Sequence, residues 1–166
     1  MKLLMMICSL WFALMAGFFF SYSATVMPGF ETADQEIGMI AMQQINAAVA
    51  NPMFAVGFWG ALLLAAGGLA TALYLRLNGT KLLFAGCVTY ILGAFLITVV
   101  GNVPMNNVLG AFSVANPDGL AYWNRYLIDW TRLNHIRMAA SFGAALIVLL
   151  PLVLPPSGDS NPPQNL

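Results

Sequence analysis

The chain has 166 residues, 60% of them hydrophobic and 7% charged, and its six Lys/Arg balance its six Asp/Glu. An ordinary soluble domain is about 45–50% apolar and about 25% charged. The composition therefore excludes a disordered chain, a nucleic-acid binder, which needs a basic field, and a soluble monomer, whose surface so few charges cannot cover. An integral membrane protein of a few spanning helices remains.

A span needs roughly 20 apolar residues. Four predominantly apolar stretches qualify: Leu3 to about Tyr22, about Met53 to Leu75, Leu82 to about Val100, and about Ile136 to Leu154, the last with Arg137 inside it. The first has the Lys2 and the small residues Ser21, Ser23 and Ala24 of a secretory leader. Its apolar run exceeds the usual ~7–15 residues, which predicts a retained helix. Small residues suited to close helix contact recur as Ala13 and Gly17; Gly57, Ala61 and Ala65; Gly86 and Gly93; Ala139 and Gly143. Cys8 and Cys87 each lie six residues beyond a lysine, which suggests similar depth. The expected fold is all-α: one transmembrane four-helix bundle over 1–154, with an outer-side amphipathic helix and a broken third helix. The Pro-rich segment 155–166 is expected to be a disordered tail.

Orientation follows Lys/Arg near the span ends. Arg76 and Lys81 flank an Asn78-Gly79 turn on the side of Lys2. This predicts both termini in the cytoplasm and the 101–134 segment outside, in a plasma or inner membrane.

Polar residues collect in the two outer segments. The first, Glu36 to Asn51, reads as a short amphipathic helix. It either lies at the headgroup level or covers a polar cavity with Gln44 and Asn46 turned inward. The second begins Gly101-Asn-Val-Pro-Met-Asn-Asn107. Pro104 lacks an amide hydrogen and disfavours helical geometry at Val103, which predicts a break near Asn102. Backbone freed at membrane depth must be satisfied by protein or water, and Asn102, Asn106 and Asn107 are at hand. They either serve that need alone or floor a pocket.

Asn116-Pro117-Asp118-Gly119 reads as a turn. Trp123, Tyr126, Trp130, Asn134, Arg137 and Ser141 then follow at helical spacing, with His135 just off that stripe. Interface aromatics are expected in any membrane protein. Arg137 is different, because an ion about a turn inside a span costs at least ~2.5 kcal/mol unless it snorkels or finds a partner. Asp129, Glu36 and the asparagines near residue 102 are the candidate partners. A single histidine argues against an all-protein zinc or copper site, and the chain has no phosphate-binding glycine loop.

The pattern Asn102-x-Pro104-x-Asn106-Asn107, then Trp123 and Trp130, then Asn134-His135-x-Arg137, resembles the anthrone-oxygenase-like family of small membrane proteins. The upstream stretch from Gln43 to Pro52 fits as well. The resemblance implies an oxygenase without metal, flavin or other cofactor. A base takes a proton from an acidic methylene of a tricyclic phenol, and the resulting carbanion reduces O2 directly. Such a site needs an apolar pocket, one base, and donors for the developing oxyanion. His135 is expected as the base, because imidazole is the side chain suited to exchanging protons near neutrality. Arg137 and Asn102 would stabilise oxygen anions. Trp123, Tyr126, Trp130 and Met105 would line the ring pocket, with Asn106, Asn107, Asn134, Gln44 and Asn46 at its polar end. The expected partners are the bilayer and an apolar aromatic molecule or quinone. Two other readings stay open: a binding module for quinone, haem or lipid, and a structural membrane subunit.

Overall fold

The computed structural model describes residues 1–75 and 80–154. The expected Asn78-Gly79 turn and the tail at 155–166 lie outside the described residues. Five helices follow in order: α1 Lys2–Thr32, α2 Gln35–Ala48, α3 Pro52–Leu75, α4 Thr80–Ala111 and α5 Pro117–Val153. All but α2 are long and apolar enough to cross a membrane.

Local chemistry sets the helix starts. The Asp34 carboxylate accepts from the Glu36 and Ile37 amides at the head of α2. Asn51 and Asn116 each precede a proline, and their side-chain oxygens accept from Phe54 and Asp118 amides. Asn caps with Pro in the first helical position open a helix well, since proline's missing donor would be idle there. The segment 116–119 is therefore the first turn of α5 and not a free-standing turn. At 37 residues, α5 is about 55 Å long, well beyond the roughly 30 Å hydrocarbon slab.

The four long helices form a ring in which α1 touches α3 and α5, and α4 touches the same two. All neighbours run antiparallel. Ser9 Oγ donates to the Ala145 carbonyl near one end, and Asn134 donates to the Phe19 carbonyl toward the other. Helix α2 packs across that second end, against α4 and α5; it is called the capped end below. Its buried face is Gly38, Met39 and Met42, while Ile37 and Ile40 stay exposed. Gly38 has a specific reason to be glycine, because a Cβ there would stand 3.0 Å from the Trp123 ring.

The third span departs from expectation. Its interruption takes the form of π turns at Ile91–Leu96 and Thr98–Asn102, and Asn102 and Val103 keep helical dihedrals. The Val103 amide bonds back to the Thr98 carbonyl, one residue beyond the α pattern. Widening the helix just before Pro104 is one way to relieve the clash of its ring with the preceding turn. A third π turn, Tyr22–Val26, interrupts α1.

Packing of small residues also divides. Ala61, Ala65, Gly68 and Ala72 of α3 face inward. Gly86 and Gly93 seat against Val148 and Ala140 of α5. Gly17 and Gly143 meet nothing, and with Ala13 and Ala139 they line an outward-facing groove. Larger side chains, Phe12, Met15 and Phe19, take the inner face of α1.

Candidate functional site

The helical spacing of the α5 stripe holds in three dimensions. Trp123, Tyr126, Trp130, Asn134, Arg137 and Ser141 are all buried on one face. Trp123 stacks on Tyr126 at 5.6 Å between ring centroids, and Tyr126 stacks on Trp130 at 5.9 Å. This ladder descends from the capped end to Arg137.

Arg137 is 5% exposed. Its guanidinium lies between two rings, 4.5 Å from the Phe19 centroid and 4.9 Å from that of Trp130. Nη2 donates to Asn134 Oδ1 at 2.8 Å, and Nη1 donates to Thr98 Oγ1 at 3.3 Å. Nε–H has no protein partner. Both acceptors are neutral. Of the expected partners, Asp129 and Glu36 are exposed, so the cation neither snorkels nor pairs with a carboxylate among the described residues. Delocalised charge over aromatic faces is the arrangement in which a buried guanidinium is least costly.

Beside Arg137 lies a partly open cavity of about 130 Å³. Phe18, Phe19, Tyr22, Asn46, Val49, Phe54, Phe58, Thr98, Asn102, Val103, Asn106 and Trp130 complete its wall. No Asp, Glu or His is among them. Tyr22, Thr98 and Asn102 come from the π turns, which re-aim side chains relative to a straight α-helix.

The amides in and behind the wall are held by Trp130 and by groups behind it. Asn106 Oδ1 accepts from Tyr126 OH at 2.7 Å and Trp130 Nε1 at 2.8 Å. Asn46 donates to the same Tyr126 hydroxyl at 3.4 Å. Asn102 Nδ2 donates to the Trp130 carbonyl at 3.2 Å, leaving its Oδ1 buried without a partner. Asn134 Nδ2 donates to the Phe19 carbonyl and to Ser23 Oγ.

The expected residues separate into groups. Arg137, Asn102, Asn106, Asn46 and Trp130 line the cavity, with Asn134 and Tyr126 directly behind it. Gln44 and Asn107 line a wider groove of about 1050 Å³ with mixed walls, the polar groove below, that shares Asn46, Val49, Phe54, Phe58, Val103 and Asn106 with the cavity. Trp123 lies farther up the ladder. Met105 packs in the cluster of the capped end, and its carbonyl accepts from Tyr122 OH. His135 is placed differently from expectation. It is exposed, and its Nδ1 lies 2.8 Å from Ser23 Oγ. One residue is about 100° around a helix, so Asn134 and Arg137 facing inward turn His135 away.

Eight wall residues were not expected: Phe18, Phe19, Tyr22, Val49, Phe54, Phe58, Thr98 and Val103. Thr98 stands four residues before Asn102, so helical spacing signals it. The aromatics of α1 and α3 carry no such mark, because apolar rings recur throughout both spans.

A family model described as anthrone oxygenase matches residues 39–147. Neither a curated protein nor a solved structure matches the chain significantly.

Proposed function

The chain belongs to the anthrone oxygenase family, and from that premise we propose that the Arg137 cavity binds an aromatic molecule with an ionisable oxygen and exposes its anion to O2. The observation that carries this reading is a buried cation with no carboxylate partner among the described residues, held against two rings at the wall of a cavity. An oxygen anion is the complement such a site lacks. A fixed positive charge in low dielectric stabilises that anion more than water does.

The reaction balances without a cofactor. A methylene flanked by aromatic rings loses a proton, and its electrons delocalise onto the ring oxygen beside Arg137. The carbanion adds O2 and takes up a proton to give a hydroperoxide. Loss of water then leaves a carbonyl, so one O2 yields the new C=O oxygen and one H2O. Arg137, with the Asn102 amide nearby, holds the oxygen anion. The cavity wall contributes no carboxylate or imidazole, so its part in proton removal is to make the substrate more acidic. The proton leaves through the polar groove at Gln44, Asn46 and Asn107. His135 orients Ser23 and, through it, Asn134.

The test is O2 uptake by nanodisc-embedded protein supplied with anthrone, with product formation measured in parallel. Arg137→Gln is expected to lower turnover about 10²–10³-fold, as for loss of one oxyanion donor. Saturable binding of anthrone with no O2 uptake above the spontaneous rate would favour a binding module instead. We place the cavity on the outer side of the membrane. Asp118→Cys, labelled by an impermeant maleimide in intact cells, tests this, and labelling only after lysis would reverse the orientation.

A further inference from the structure

A cavity of about 130 Å³ is close to the ~150 Å³ that holds a single benzene ring. Small-molecule sites usually measure roughly 300–1,000 Å³. A ligand whose oxygen reaches Arg137 therefore extends into an adjoining space, and two adjoin. One is the polar groove. The other is an apolar groove of about 510 Å³ between α1 and α3, which shares Phe18, Tyr22, Val49 and Phe54 with the cavity. Leu14 and Met53, which also line it, are 57% and 85% exposed. The apolar groove thus opens sideways into hydrocarbon.

The two spaces suit different matter. An alkyl chain laid in the polar groove would cover the amides of Gln44, Asn46, Asn106 and Asn107 and cost their hydrogen bonds to water. The same chain in the apolar groove covers almost no polar group. The charge of Arg137 draws the oxygen end inward, which leaves the opposite end of the molecule at the Phe18–Phe54 mouth. We propose that the ligand is a membrane-dissolved amphiphile. It is a phenol or quinol ring seated at Arg137, carrying an alkyl or isoprenoid chain that runs past Phe18 and Phe54 along the α1–α3 groove into the bilayer. This rests on the reading of the Arg137 cavity as the seat of an ionisable aromatic oxygen and names the ligand class of that site.

Gly57 sets up the test. It lines the groove, and a Cβ there would meet only Met15 Sδ at 3.8 Å, so Gly57→Leu fills the groove without a backbone clash. The probe is 4-dodecylphenol carrying a diazirine at the chain end, in phosphatidylcholine nanodiscs of the full chain. Labelled peptides are mapped by mass spectrometry. The expected result is labelling of 14–18 and 53–57 that unlabelled 4-dodecylphenol displaces. It should fall at least tenfold in Gly57→Leu and in Arg137→Gln. Gly17→Leu, on a face where a Cβ meets nothing, should keep it. Label on 103–110 that is lost in Arg137→Gln would overturn the amphiphile and leave the cavity reading standing. Labelling indifferent to Arg137→Gln would overturn the cavity reading itself.

Discussion

The two halves of the bundle are built by opposite rules. In the half away from the cap, α3 and α4 present Ala61, Ala65, Gly68 and Gly86, and backbones approach closely. Two large rings, Phe12 and Tyr90, stack there at 4.5 Å. In the capped half the helices carry π turns, aromatic and amide side chains join Met27, Met39, Met42 and Leu109 inside, and a cation lies among them. Small residues drive association in lipid because contact replaces the missing hydrophobic force. Bulky rings and amides hold helices apart and demand hydrogen bonds. One half is built for adhesion, and the other accepts instability for a cavity.

That contrast can be broken at specific positions. The largest effect is expected at Arg137. Arg137→Met should abolish measurable turnover with little change in thermal stability, since relief of the buried charge's desolvation offsets the loss of the donor to Asn134 Oδ1. Activity and melting temperature of the same preparation check this. A large fall in melting temperature would make Arg137 a structural residue.

Gly86→Leu should act in the opposite sense. Its Cβ would clash with Val148 and stand 3.0 Å from the Ala144 carbonyl. Overpacking of this kind costs about 1–3 kcal/mol, read as a lower unfolding midpoint in a detergent titration, with turnover per folded molecule retained. Asn106→Leu lies between these cases. It removes the acceptor of Trp130 Nε1–H and of the Tyr126 hydroxyl, which keeps only its contact from Asn46, at about 1–3 kcal/mol for unsatisfied buried groups, and should lower stability and turnover together. The smallest effect belongs to His135→Ala. An exposed side chain off the cavity should change stability by no more than about 0.5 kcal/mol, with turnover reduced only modestly through Ser23. A loss as large as that of Arg137→Gln would restore His135 as a base that meets substrate.

Much of this was legible in the chain. Apolar runs of spanning length mark the four long helices, because a bilayer rewards nothing else. Spacing near 3.6 residues put Trp123, Tyr126, Trp130, Asn134 and Arg137 on one stripe, and that stripe is the buried face of α5. The same geometry already set His135 to one side; its chemistry suggested a base, but its angle did not. Cys8 and Cys87, expected at similar depth, both lie beside Gly68.

What the tertiary structure alone decided is the choice among equals. Each span offers several faces that would pack, and α1 and α5 turned Gly17 and Gly143 outward. Pro104 announced an interruption, but whether a proline opens the backbone or widens it into π turns depends on the neighbours that receive it. The sequence by itself determined that Arg137 enters the membrane. Only the packed helices decided that it is met by Phe19, Trp130, Asn134 and Thr98. The physical reason is range: spacing along one helix is local, while a counter-charge, or its absence, is set by which faces of separate helices meet.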